Sequence, residues 1–253
     1  MNQQQTADIP DTLIAQLDVA ENIPAMRKLR IRSYELLGLT PDATVVDVGC
    51  GAGRAVAEMD EQGARAVGID PAERMINLAT ERWPGADFRV ADAYELPFVD
   101  AAVHGYRADK VYHALDDPAR AIGEARRVLS PGGRIVLVGQ DWDTFLIDAD
   151  DPALTRTIVH ARADMISAPR IVRRLRHLLQ EAGFADVTVE VHAAVSTGAT
   201  MLPVLADIAA KVQSVGAISE AQAKSWVAEQ EERARDDRLF FALPMFITAA
   251  TRP

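Results

Sequence analysis

Between residues 44 and 138, short apolar runs of strand length alternate with stretches whose apolar positions recur at helical spacing. Val45, Val46 and Val48 surround Asp47, and the run opens into a loop with glycine at 49, 51 and 53. Arg54 begins a helix that Gly63 ends, and Arg65 to Asp70 reads as a second strand. A helix over Ala72–Arg82 follows, then a third strand over Asp87–Asp92 and a fourth over Ala101–Arg107. A helix over Ala119–Leu129 and the turn Ser130-Pro131-Gly132-Gly133 lead into a fifth strand, Arg134–Val138. Strands that alternate with helices in this way predict a parallel sheet covered on both faces.

The flanks read differently. Residues 1–10 are polar and are expected to fray. Apolar spacing from Asp11 to Leu37 predicts helices broken near Pro24 and stopped at Gly38, placed to lie over the mouth of the first strand. Beyond residue 140, Asp151-Pro152 starts a helix to about Ser167. An arginine-rich helix from Pro169 to Gly183 would set Arg170, Arg173, Arg174 and His177 on one face, either as a solvated surface or as a basic patch. A sixth strand over Asp186–His192, two helices between Thr200 and Arg235 divided near Gly216, and a last strand over Leu239–Thr251 complete the pattern. The expected organisation is a single domain, 1–253. It has a helical cap at about 11–40, a binding core at 41–140, and helical insertions at 141–168 and 198–236 that wall the substrate side of the pocket.

Composition narrows the partners. The 253 residues are 49% hydrophobic, enough for one large core, and carry a net charge of −10. That charge argues against nucleic acid, whose binding rests on lysine and arginine neutralising phosphates. Cys50 is the only cysteine, so no intrachain disulfide can form, which fits a cytoplasmic location. No apolar run approaches the roughly 18 residues of a membrane span, and the first residues lack a leader pattern. The expected partner is a small molecule, with the protein a monomer or homodimer.

The glycine loop carries the first chemical signal. Its spacing is G-x-G-x-G, with Arg54 where the dinucleotide fingerprint G-x-G-x-x-G has glycine. Asp47, beside that loop, repels a pyrophosphate and attracts an ammonium or sulfonium. Acids also end the second and third strands. Asp70 can accept two ribose hydroxyls, or cap a helix ahead of Pro71 at its first position. Asp92 can accept from an exocyclic amine while the next backbone N–H donates to a ring nitrogen. Met75 suits either an adenine face or the core.

The run Val45–Arg54 resembles the first motif of the class I S-adenosylmethionine (SAM)-dependent methyltransferases. Tyr112-His113-Ala114-Leu115, Asp117-Pro118, Arg127-Val128-Leu129 and Pro131-Gly132-Gly133 resemble the small-molecule methyltransferases related to ubiquinone and menaquinone biosynthesis (the methyltransferase type 11 domain). Ala114 stands where that family has a second histidine. The resemblance covers about residues 40–140. It implies an α/β, Rossmann-like class I methyltransferase fold: a seven-stranded, mostly parallel sheet with helices on both faces and helical lid insertions. It implies SAM as cofactor and S-adenosylhomocysteine (SAH) as product. The positions that would hold them are Asp47, Gly49, Cys50, Gly51, Gly53, Asp70, Pro71, Met75, Asp92, Ala93, Tyr94 and Arg107. Arg107 would contact the methionine carboxylate or pair with Asp109. The expected reaction moves a methyl group to an oxygen, nitrogen or carbon of a small molecule in a specialised biosynthesis.

His113 is the candidate base and Asp141 the acid that orients it. Tyr106, Arg107, Tyr112, Trp142 and Phe145 would line the acceptor pocket. Asp109, Asp141 and Asp143 offer carboxylates for Mg²⁺, but the metal-dependent pattern is not reproduced and no metal is expected. Two other functions compete: a non-catalytic SAM-binding module, and an NAD(P)-dependent oxidoreductase, against which the glycine spacing and Asp47 both speak.

Overall fold

Strand β1 (Thr44–Val48) sits at the centre of the sheet, between β2 (Arg65–Asp70) and β4 (Val103–Asp109), parallel to both. The computed structural model describes residues 11–253, so the expectation for residues 1–10 lies outside the described residues. β3 (Asp87–Val90) extends the parallel sheet beyond β2, and β5 (Leu129–Gln140) extends it beyond β4. β8 (Phe241–Thr251) then runs antiparallel to β5, and β7 (Ala185–Ser196) antiparallel to β8.

The valines of β1 explain why both faces must be covered. Val45 packs with α2 (Pro24–Leu37) and α3 (Arg54–Glu61), through Leu37, Val56 and Met59. Val46 and Val48 point the other way, into a cluster with Ile122 and Ala125 of α5 (Pro118–Val128) and Leu175 and Leu179 of α7 (Leu175–Glu181). β5 repeats the alternation, with Val136 and Val138 on the first face and Ile135 and Leu137 on the second. The chain breaks at Pro24 between α1 (Asp11–Asn22) and α2, and Gly38 ends α2 in the left-handed conformation that glycine adopts readily. A third cluster joins α6 (Pro152–Asp164), α8 (Leu202–Ser214) and α9 (Glu220–Arg235), centred on Ile158, Leu205 and Trp226. Trp226 is buried there and donates its indole N–H to Thr155 Oγ1 at 3.0 Å.

Several expectations change. The sheet has eight strands, because the two-residue β6 (Leu146–Ile147) pairs with the start of β8. β4 runs on to Asp109, and β5 absorbs the Pro131-Gly132-Gly133 turn, where Gly132 N–H donates to Arg252 O and Arg252 N–H to Gly133 O. β3 stops at Val90, short of Asp92. The arginine-rich segment is not one helix. A 3-10 turn at Ile171–Arg173 precedes α7, and Arg170 and Arg173 turn back to pair with Asp143 and Asp141. The four basic residues therefore form no common helical face. Helix α4 (Glu73–Arg82) begins after Ala72, so Pro71 is outside it and Asp70 is not its cap.

Candidate active site

The order β3-β2-β1-β4-β5 makes β1 and β4 the point where the chain's direction of travel across the sheet reverses. Ligands of open α/β sheets sit beyond the carboxyl ends of strands at such a point. A cavity of about 920 Å³ opens there. Its floor is the 49–52 loop with Asp47, Asp70, Asp92, Ala93 and Tyr94, its roof includes Ile14 and Leu17 of α1, and its far wall is Trp142, Phe145 and residues of α8.

The loop's shape depends on its glycines. Gly49 has φ +70°, and a Cβ there would lie 2.3 Å from Val111 Cγ2. Gly53 has φ +83°, and its Cβ would meet the Phe88 ring at 2.5 Å. Side chains are excluded from both, so the backbone lies close against its neighbours. Asp70 ties the loop to the second strand. Its Oδ2 accepts from Gly51 N–H at 3.1 Å and its Oδ1 from Ala72 N–H at 2.9 Å. Burial raises the Asp70 carboxyl above its ordinary value, and the two N–H donors pull it back only partly. Asp92 is more exposed; its Oδ1 accepts from Tyr94 and Glu95 N–H at 2.7 and 3.1 Å. Pro71 and Met75 line the cavity, with Met75 Cε 3.6 Å from the position of a Cβ on Gly51. The Cys50 thiol is buried and pushed up by that burial, so it stays protonated.

Beneath the loop lies a charge cluster. Arg107 donates to Asp47 Oδ1 at 2.7 Å, to Asp109 Oδ2 at 2.9 Å and to Ser33 Oγ at 2.8 Å. Lys110 Nζ reaches the other Asp109 oxygen at 2.5 Å. Burial opposes the Asp109 charge, but Lys110 and Arg107 outweigh it and hold the carboxyl below its usual value. Of the two roles open to Arg107, the pairing with Asp109 is made, and Asp47 shares it. Asp47 is thus neutralised within the chain and does not present the free negative charge expected of it.

The proposed base and its acid are not brought together. Arg173 engages both Asp141 oxygens, with its Nη2 3.0 Å from Oδ1. His113 Nδ1 is buried with no hydrogen-bond partner among the described residues, and its ring packs edge-on to Trp142 at 5.3 Å. The cavity wall is formed instead by its neighbours Val111 and Ala114. Burial, and then Lys110 and Arg162, lower the His113 imidazole to about 4, which keeps it neutral but a weak base. Tyr106 and Tyr112 are likewise in the core, their hydroxyls 3.2 Å apart. Trp142 and Phe145 do line the cavity and continue into Phe241, with ring centres 5.4 and 5.8 Å apart. Among the described residues, no group of three or more His, Cys, Asp or Glu is placed to hold a metal ion. No described helix is long and apolar enough to cross a membrane. Sequence reasoning missed Gln140, Arg162 and Asp207, all of which face the cavity.

Comparison with known proteins agrees with this architecture. Residues 46–137 match the family described as Methyltransferase domain. An uncharacterised 37.1 kDa protein in transposon TN4556 of Streptomyces fradiae is 34% identical over 188 residues, covering 72% of this chain and 54% of that one. The demethylmenaquinone methyltransferase of Renibacterium salmoninarum is 27% identical over 144 residues, 56% of this chain and 61% of that one. The chain thus spans little more than half the length of these relatives. Among solved structures, the YcgJ protein of Bacillus subtilis superposes with a TM-score of 0.61 at 16% identity, over 88% of this chain and 98% of that one, a likeness of fold.

Proposed function

We propose, from the premise that residues 46–137 are a class I SAM-dependent methyltransferase domain, that the chain methylates a small molecule in a biosynthetic route of the cytoplasm. Bound SAM supplies an electrophilic methyl on a sulfonium. In this reading Asp70 accepts the ribose hydroxyls, and Asp92 with the Ala93 N–H reads the adenine edge. Met75 and Pro71 pack on the adenosine, and the Gly49–Gly53 loop receives the amino-acid end. Arg107 orients Asp47 rather than gripping the ligand itself.

Continuity carries the reading. One cavity runs from the strand-end acids to the aromatic wall at Trp142 and Phe145, so two ligands can lie end to end in it. Its size is at the upper end of small-molecule sites, roughly 300–1,000 Å³. Donor and acceptor held in line can supply on the order of 7–11 kcal/mol of a transfer barrier. The chain's part is then to position and to exclude water. His113 acts as the brace behind Trp142.

Calorimetric titration with SAH, and in parallel with NADH, tests this. Micromolar SAH binding, weakened at least tenfold in Asp70→Ala, is expected, because that change removes the ribose acceptor and frees the Gly51 amide. NADH binding without SAH binding would overturn the assignment. So would binding of neither.

A further inference from the structure

Among the described residues, the charged side chains facing the cavity are, with one exception, already engaged. Asp18 pairs with Arg82, Glu21 with Arg54 and Arg30 with Glu58. Asp47, Arg107, Asp109 and Lys110 form the closed cluster described above, two negative and two positive. Asp70 and Asp92 accept backbone N–H groups. Arg162 of α6 differs. Its guanidinium lies 4.6 Å over the Trp142 ring, its Nε is buried without a hydrogen-bond partner, and no carboxylate among the described residues reaches it. The acid whose field it feels, Asp207, is held by Lys211 at 2.6 Å.

In a chain of net charge −10, a cation with no ion-pair partner among the described residues is kept half-buried in the wall of the 920 Å³ cavity. A buried donor without an acceptor is costly, and a guanidinium fork fits a carboxylate through two parallel hydrogen bonds. The ring beneath it is Trp142, and Phe145, Phe241 and Met201 also line the cavity. We propose that Arg162 binds an oxyanion on the acceptor, and that the acceptor is an apolar, ring-bearing molecule carrying a carboxylate or an equivalent anionic oxygen. This rests on the methyl-transfer reading for what the ligand is, but its recognition by Arg162 is a separate property of the cavity.

Two probes of equal shape and different charge test it: 2-naphthoate and its neutral amide, 2-naphthamide. Each is titrated calorimetrically into the full chain, with and without saturating SAH. The naphthoate is expected to bind at least about tenfold more tightly than the amide. Arg162→Met should abolish that advantage while leaving SAH and naphthamide affinities unchanged, and Arg162→Lys should restore part of it. Equal affinity for the two probes, or an advantage that survives in Arg162→Met, overturns the proposal. Unchanged SAH binding and circular dichroism in the variants report an intact fold. A naphthoate preference in a protein that fails to bind SAH would uphold Arg162 recognition and sink the methyltransferase reading alone.

Discussion

Replacing Arg107 by methionine should be among the most damaging single changes at the site, and the cost falls chiefly on Asp47. The Arg107 and Asp47 side chains are each only 3% exposed. Without Arg107, Asp109 keeps Lys110, but Asp47 has no second cation within ion-pair distance among the described residues. Breaking a buried pair from one side costs about 3–5 kcal/mol. That is a large part of the roughly 5–15 kcal/mol that holds a typical domain together. The pH dependence identifies the cause. Burial already raises the Asp47 carboxyl, with Arg107 opposing. Once Arg107 is gone, its folded pKa lies well above the unfolded value of about 3.9. The unfolded state then binds fewer protons than the folded one through the acid range, so the deficit is full at neutral pH and shrinks as pH falls. Urea unfolding of wild type and Arg107→Met at pH 7 and pH 5 measures it, since the other carboxylates cancel in the difference. The double variant Asp47→Asn/Arg107→Met should recover most of the loss. A deficit below about 1 kcal/mol at pH 7, the worth of an exposed pair, would refute the argument. So would a deficit that does not change with pH.

His113 should titrate near 4, against an ordinary value of 6.5. Its folded value is depressed, so the unfolded chain binds more protons between these limits. Stability is therefore lost as pH falls from about 6.5 to about 4, by roughly 3 kcal/mol, and the loss levels off below. Imidazole proton NMR measures the midpoint, and His113→Phe should flatten the stability profile over the same window. A midpoint above about 6 would show the ring to be solvated. Gly49→Ala and Gly38→Ala separate clash from strain, because both sites have positive φ but only Gly49 has an atom in the way. Gly38→Ala should cost about 1 kcal/mol with SAH binding untouched. Gly49→Ala should displace the loop from Val111 and weaken SAH binding at least tenfold; equal effects at the two sites would show that the Val111 contact is unimportant.

What could be read from the sequence, and what could not, follows from how far apart partners lie along the chain. β1 and β5 were legible because burial on both faces leaves near-continuous apolar runs, Val45–Val48 broken only by Asp47 and Ile135–Val138 unbroken, and the break at Pro24 because proline removes an amide locally. Asp70 was legible as a strand-end acid, while its second bond, to Gly51 across 19 residues, was not. Arg170 and Arg173 were misassigned for the same reason. Helical spacing put them on one face, yet their partners Asp143 and Asp141 lie 27 and 32 residues away, and that pull favours the 3-10 turn over a continuous helix. His113 was read from a motif, and motif position does not determine which side of a loop a ring takes. Here Ala114 faces the cavity and the imidazole lies behind Trp142.

Arg162 left a signal that the reading passed over. Thr155, Ile158, Val159 and Ala163 are the buried positions of α6, a stripe at i, i+3, i+4 and i+8. Arg162 occupies the missing i+7 step. A long cation inside an apolar stripe either reaches water along its stem or meets an anion. Its guanidinium instead lies across Trp142 at the cavity wall, with its Nε buried and no carboxylate beside it. The charge that breaks the pattern of α6 is therefore the feature of the cavity wall on which the proposed recognition of an anionic acceptor rests.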